Sequence, residues 1–294
     1  MFKTPGKRIL LSFHIILISI WLGSLTSILL LQICKRSLPA AHFFVVDGFI
    51  FAVFDSVIMY VSIAVAISGL LFSMFTKWGF FKFRWITVKW IAIFLLAIII
   101  IFLASPSING LAAFSDVFRQ ICESNPDYFT FESKVVFYSS IQLATLVFLI
   151  FLSVIKPWGI RKQRLKVNRK VIISSGLIIG ILLAGSNIMQ YLQLQHYRNL
   201  PITEINLAQV ADGSFIGKAN YGFEYEVKVD VKNNIIENIE ILKNRDNFYA
   251  RLAEGVKYKI IREQKINIDA VTGATTTSKI LMKAVEDAIL SGGK

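Results

Sequence analysis

The residues best placed to do chemistry lie near the C-terminus, in Asp269-Ala270-Val271-Thr272-Gly273-Ala274-Thr275-Thr276-Thr277-Ser278. This is a loop of small residues and hydroxyls that runs into a helix. Gly273 allows close backbone approach or positive φ. The free N–H groups of a helix start, joined by several hydroxyls, make a ready cradle for a phosphate. An ordinary Thr/Ser-capped helix uses the same residue types. Taken alone, the loop says only that an anion can sit here.

Other reactive residues are sparse. Asp55 falls about six residues into an apolar run, hence ~9 Å from its end at 1.5 Å per residue. A carboxylate at that depth is costly and is a functional candidate by default, as part of a polar crevice for protons or a quinone. The bland reading is a side chain reaching the headgroups. Lys89 lies at the opposite depth, so the two do not pair. It reads as a lysine snorkelling to the interface beside Trp78, Phe80, Phe81, Phe83, Trp85 and Trp90. Haem would need axial ligands within the apolar runs. His14 lies in the inner part of the first run and His42 and His196 near the outer face, where they could approach each other at the rim; no pair on two helices is spaced to sandwich a haem, so haem is not expected. The two cysteines, Cys34 and Cys122, could pair in an oxidising exterior, but isolated cysteines more often simply pack. No nucleophile–base pair, metal-ligand cluster or dinucleotide fingerprint competes.

The elements that must position these residues divide the chain in two. Of its 294 residues 55% are hydrophobic, with a mean hydropathy of +0.60, which is too apolar for one soluble domain. Residues 9–34, 49–75, 86–104, 135–155 and 171–193 form long apolar runs. Crossing a ~30 Å hydrocarbon layer takes about 20 helical residues, so five transmembrane helices are expected, with the lipid bilayer as the first partner. Residues 9–34 exceed the 7–15-residue core of a signal peptide and read as an uncleaved anchor. Gly176, Gly180, Ala184 and Gly185 give the fifth run a face suited to close helix packing.

The net charge of +13 could suggest nucleic acid, but its placement argues for topology. Lys3, Lys7 and Arg8 precede the first run, and Lys77, Lys82 and Arg84 separate the second from the third. Lys156, Arg161, Lys162, Arg164, Lys166, Arg169 and Lys170 separate the fourth from the fifth. All three groups fall on one side of a five-helix threading. By the positive-inside rule the N-terminus is cytoplasmic and the C-terminal domain extracytoplasmic.

After Tyr197 the sequence turns charged and alternating. Residues 198–211 read as a linker and 212–294 as a small α+β domain. Phe215 to Tyr221 is a short strand. Tyr225, Val227, Val229 and Val231 alternate with Glu226, Lys228 and Asp230, as a half-buried strand does. Asn233-Asn234 turns the chain, and Ile235 to Leu242 returns as the hairpin's second strand. A helix over 248–265 carries Leu252, Val256, Ile260 and Ile261 as its apolar stripe. An extended segment, Ile266 to Val271, leads through the hydroxyl-rich loop to a last helix over about Ser278 to Leu290.

The loop resembles the flavinylation motif of the FMN-binding domain family, found in flavin subunits of the sodium-pumping NADH:quinone reductase and the Rnf complex. That motif runs Asp, two residues, Ser or Thr, Gly, Ala, Thr or Ser. Asp212-Gly213-Ser214-Phe215-Ile216-Gly217 is similar to the family's opening strand, and the likeness spans roughly residues 205–291. It implies FMN held covalently, with Thr275 esterified to its phosphate by a separate ApbE-type flavin transferase. It also implies that Asp269, Thr272, Gly273 and Ala274 form the transferase's recognition surface and the phosphate-side pocket. Thr276, Thr277 and Ser278 compete for the acceptor role, and the motif's register, not chemistry, selects Thr275. Tyr221, Phe223 and Tyr225 are candidate ring-stacking aromatics or core residues.

The expectation is an extracytoplasmic electron carrier rather than an enzyme with its own substrate pocket. Electrons would come from the quinol pool or a membrane partner and leave to an external acceptor. A flavin-based membrane redox sensor and a non-redox flavin- or anion-binding protein are the alternatives.

Overall fold

The computed structural model describes residues 4–76, 79–119, 122, 125–158 and 194–293. The chain divides into two compact units, Met1–Ile108 with Asn125–Ile181, and Asn109–Ser124 with Leu182–Lys294.

Among the described residues, four helices are long and apolar enough to cross a membrane: Pro5–Lys35, Ala40–Phe75, Arg84–Val117 and Pro126–Ile155. The run expected at 171–193 lies outside the described residues. The first helix is α1 (Thr4–Lys35). The second comprises α2 (Phe43–Val53) and α3 (Met59–Phe75), joined by a π-helical turn at Phe54–Ile58. The third comprises α4 (Arg84–Ile98) and α5 (Ser105–Val117), joined by a second π turn at Ile99–Ala104. The fourth is α6 (Pro126–Ile155), where Asn125 accepts from Asp127 N at 2.9 Å and Pro126 takes the first helical position.

These helices overrun their apolar stretches because polar residues at their ends find partners. Lys35 Nζ donates to Asp47 at 2.8 Å and to Tyr128 Oη at 2.8 Å, and lies 3.2 Å from Glu132. Tyr128 Oη donates in turn to Asp47 at 2.8 Å. Lys35, Asp47 and Tyr128 are fully buried. A composition scan sees such residues as loop, whereas the structure makes them a knot joining α1, α2 and α6.

Asp55 lies in the first π turn on an exposed face, roughly twice as far from its helix start at Phe43 as the apolar run suggested. The described residues do not enclose it in a crevice. Lys89 donates to Ser153 Oγ and lies over the Trp85 ring at 5.2 Å. His14 Nδ1 meets Ser68 Oγ at 2.6 Å and packs edge-on against Phe72. Cys34 is exposed and Cys122 buried, both as free thiols.

The second unit is built on a three-stranded antiparallel sheet in the order β1-β2-β3: β1 (Gly213–Asn220), β2 (Glu224–Lys232) and β3 (Ile235–Lys243). Asn233 and Asn234 join β2 to β3 with φ of 50° and 61°. Two consecutive positive values make a turn whose twist matches the strands, and asparagine tolerates them. Tyr225, Val227, Val229 and Val231 face inward as their alternation predicts. The residues expected to form one helix instead make α7 (Phe248–Ala253) and α8 (Val256–Glu263). The break falls at Gly255, where a Cβ would stand 2.5 Å from Val117 Cγ2. Any side chain there would displace Val117. The last helix, α9 (Thr275–Ser291), packs across β1 and β2. Leu200, Ile202, Ile205 and Leu207, in the stretch read as a linker, pack against this core.

Candidate functional site

The loop before α9 is held from several directions. Gln264 ends α8 with φ of 51°, and its amide accepts from Ile236 N at 2.9 Å and donates to Ile236 O at 3.0 Å. The chain then runs extended. Ile266, Ile268 and Val271 are buried, while Lys265, Asn267 and Asp269 point outward. Ala274 N donates to Val271 O at 3.0 Å, closing a turn around Gly273, whose φ is 78°. That value lies in the left-handed region where a Cβ is penalised.

Thr275 is the first residue of α9 and is half-buried. The helix begins without a side-chain cap at Ala274. The first N–H groups of any helix lack intrahelical acceptors and carry the positive end of its dipole. Ser278 N is the first to be satisfied, by Ala274 O at 3.1 Å. The N–H groups and hydroxyls of Thr275, Thr276 and Thr277 therefore gather at one helix end. Ser278 is different: it is fully buried, and its Oγ accepts from Val271 N at 3.2 Å. Its hydroxyl is part of the loop's internal bracing.

The three candidate stacking aromatics separate. Tyr225 is fully buried in the sheet's inner face, close to Thr277, and among the described residues its hydroxyl has no hydrogen bond of good geometry. Burial pushes its phenol up from the usual value. Phe223 is half-buried, edge-on to Tyr225 at 5.3 Å, with Arg245 5.8 Å from its centroid. Tyr221 is half-buried and edge-on to Tyr197 at 5.8 Å. Tyr225 is a core residue with a polar tip; the other two keep accessible surface.

Several contributors were not foreseen. Asp116, at the end of α5, accepts from Lys259 Nζ at 3.0 Å, from Thr272 N at 3.2 Å and from Thr272 Oγ1 at 3.1 Å. Arg262 donates to Val117 O at 3.1 Å, and Phe118 stacks obliquely on Tyr258. Asn109 lies against Gly273, where a Cβ would stand 3.2 Å from Asn109 Cγ and closer still to its Oδ1. Lys259 could have been found: at helical spacing from Leu252 and Val256 it sits on the apolar stripe, where a lysine needs a buried partner. Asp116 carried no such signal, because its stretch read as a connection.

A phosphate fits these residues. An uncapped helix start directly after a left-handed glycine, with the half-buried hydroxyls of Thr275, Thr276 and Thr277, supplies the donors that a bound phosphate would use. Residues 220–290 match the family model of the FMN-binding domain. No curated protein and no solved structure matches the chain.

Proposed function

With an FMN-binding domain at residues 220–290, behind four long apolar helices, we propose that the chain is a membrane-anchored electron carrier that holds FMN covalently on Thr275. The observation that carries this reading is the placement of Thr275 at the uncapped start of α9, directly after the left-handed Gly273. A phosphate esterified to its hydroxyl would lie against the N–H groups of Thr275, Thr276 and Thr277, which favour negative charge. Asp269, exposed at the loop's start, with the half-buried Thr272 and Gly273, would be what an ApbE-type flavin transferase grips, and the buried Ala274 would back the phosphate-side pocket. When bound, the flavin supplies one- and two-electron redox chemistry, while the protein sets its position and surroundings.

With the apolar run at 171–193 as a fifth crossing, the basic residues before the first helix, between the second and third, and after the fourth support an extracytoplasmic C-terminal domain. There a covalent bond prevents loss of the cofactor by dilution. Electrons would enter from quinol or a membrane partner and leave to an external acceptor.

In-gel flavin fluorescence after denaturing electrophoresis tests the attachment. Wild type co-expressed with a flavin transferase should stay fluorescent, and Thr275→Val should be dark. A dark wild-type band, with transferase activity verified on a control substrate, would replace the covalent carrier by a protein that binds flavin or another anion without a bond.

A further inference from the structure

We infer that Asp116, carried on the third apolar helix and outside the matched domain, is the positioning residue that sets the flavin-attachment loop. This rests on the reading of Thr275 as the acceptor.

The donors that converge on Asp116 are an ammonium, a backbone N–H and a hydroxyl, contributed by Lys259 and Thr272, and the more exposed Arg119 guanidinium lies 3.7 Å away. That set is what a phosphate would attract, yet a carboxylate of the chain itself fills it. Asp116 is 7% exposed and Lys259 1%, so neither is solvated enough to leave the pair at little cost. Two consequences follow for the loop. Thr272 is fixed at both its main chain and its side chain, three residues before Thr275, and Gly273 is pressed against Asn109. The turn that presents Thr275 is therefore held by α5 and not by the 220–290 domain alone. The Lys259 ammonium is also neutralised, whereas the first N–H groups of α9 have no intrahelical acceptor and stay open to a phosphate. Asp116 thus steers an incoming phosphate to Thr275 by occupying the competing anion site. It touches neither the phosphate nor the acceptor hydroxyl.

Removing Asp116 alone would strand a buried ammonium and confuse folding with positioning. The informative variants keep the pair neutral. Asp116→Leu with Lys259→Met replaces a buried ion pair by apolar groups, a change that is often neutral or stabilising, but offers Thr272 no acceptor. Asp116→Asn with Lys259→Met keeps an acceptor oxygen for Thr272. In the full-length chain with limiting transferase, the first double variant should acquire in-gel flavin fluorescence about tenfold or more slowly than wild type. The second should recover most of the rate. Thermal midpoints should remain near wild type for both, and hydrogen exchange at the Thr272 amide should quicken only in the first.

Equal flavinylation rates in wild type and the Leu/Met variant would overturn the positioning role while leaving Thr275 as acceptor. A slow rate accompanied by a collapsed midpoint in both variants would also overturn it, because the pair would then be structural only. A dark wild type would remove the covalent reading itself, and this inference with it. That outcome is distinct from a bright wild type with an equally bright variant.

Discussion

Gly217 on β1 lies directly beneath Ala288 on α9: a Cβ at Gly217 would stand 2.7 Å from Ala288 Cα and closer still to Ala288 N and Ala284 O. The atoms in the way are backbone, so no rotamer change relieves the clash. The helix rests on the strand because that residue has no side chain, and α9 carries Thr275 at its other end. Gly217→Ala should therefore lift the helix from the sheet and destabilise the domain by about 1–3 kcal/mol, the usual cost of overpacking. Pulse proteolysis of the full-length protein across a urea series would read the shift. An unchanged midpoint would mean that helix and strand can separate freely.

The four hydroxyls of the α9 start should respond differently. Thr276→Val and Thr277→Val leave the Thr275 hydroxyl in place and should keep flavin fluorescence on denaturing gels. Ser278→Ala should keep it too, but removes the acceptor of Val271 N, which is buried. An unsatisfied buried donor costs about 1–3 kcal/mol, so this variant should be bright and less stable. Loss of fluorescence in Thr276→Val, with Thr275→Val still bright, would move the acceptor by one residue.

How far the sequence revealed all this depends on what kind of signal each residue carries. The β2–β3 hairpin was legible because Tyr225, Val227, Val229 and Val231 alternate and Asn233-Asn234 is a turn dipeptide. The loop at 269–278 was legible from its residue types and its likeness to a motif. The close approach of Val117 to Gly255 was not, since Val117 is far away in the chain. Asp116 and Asp47 escaped for a shared reason. Each is a carboxylate in a stretch that reads as a connection between apolar runs, and each is paired with a lysine on another helix. Buried ion pairs depend on tertiary placement and leave no periodic trace. Only Lys259, on the apolar stripe of α8, broke a pattern strongly enough to betray its partner's existence.

The membrane unit holds its own test of that logic in Lys35, whose ammonium faces Asp47, Glu132 and the Tyr128 hydroxyl with no exposed surface. Asp47→Ala would leave the ammonium facing only the 3.2 Å contact to Glu132 and the phenol. Breaking a buried pair from one side costs about 3–5 kcal/mol. Thermal unfolding in detergent should show a large drop in midpoint for Asp47→Ala, a smaller one for Asp47→Asn, and the smallest for Tyr128→Phe. A Tyr128→Phe variant as damaged as Asp47→Ala would make the phenol, and not the ion pair, the centre of the knot.

Acid should weaken the C-terminal domain through Asp230. Its carboxylate accepts from Ser214 Oγ at 2.5 Å and from Asn238 Nδ2 at 3.2 Å, and the Ser214 bond is the first cause of its lowered pKa. A carboxyl with a folded pKa below its unfolded value binds fewer protons when folded. Its stabilisation is complete above the unfolded value of about 3.9 and disappears as the pH falls through the lower folded one. Glu224 is also lowered, by its hydrogen bond from Lys243 at 2.6 Å, but it stands in solvent and salt will screen it. Urea midpoints measured from about pH 6 down to about pH 2 should be level and then fall on the acid side. Asp230→Asn should flatten that fall, because an amide can accept from Ser214 at every pH. High salt should leave the Asp230 contribution largely in place, since it rests on hydrogen bonds more than on distant charge. An acid limb of equal steepness in the variant would assign it to Glu224 or to carboxylates elsewhere in the chain.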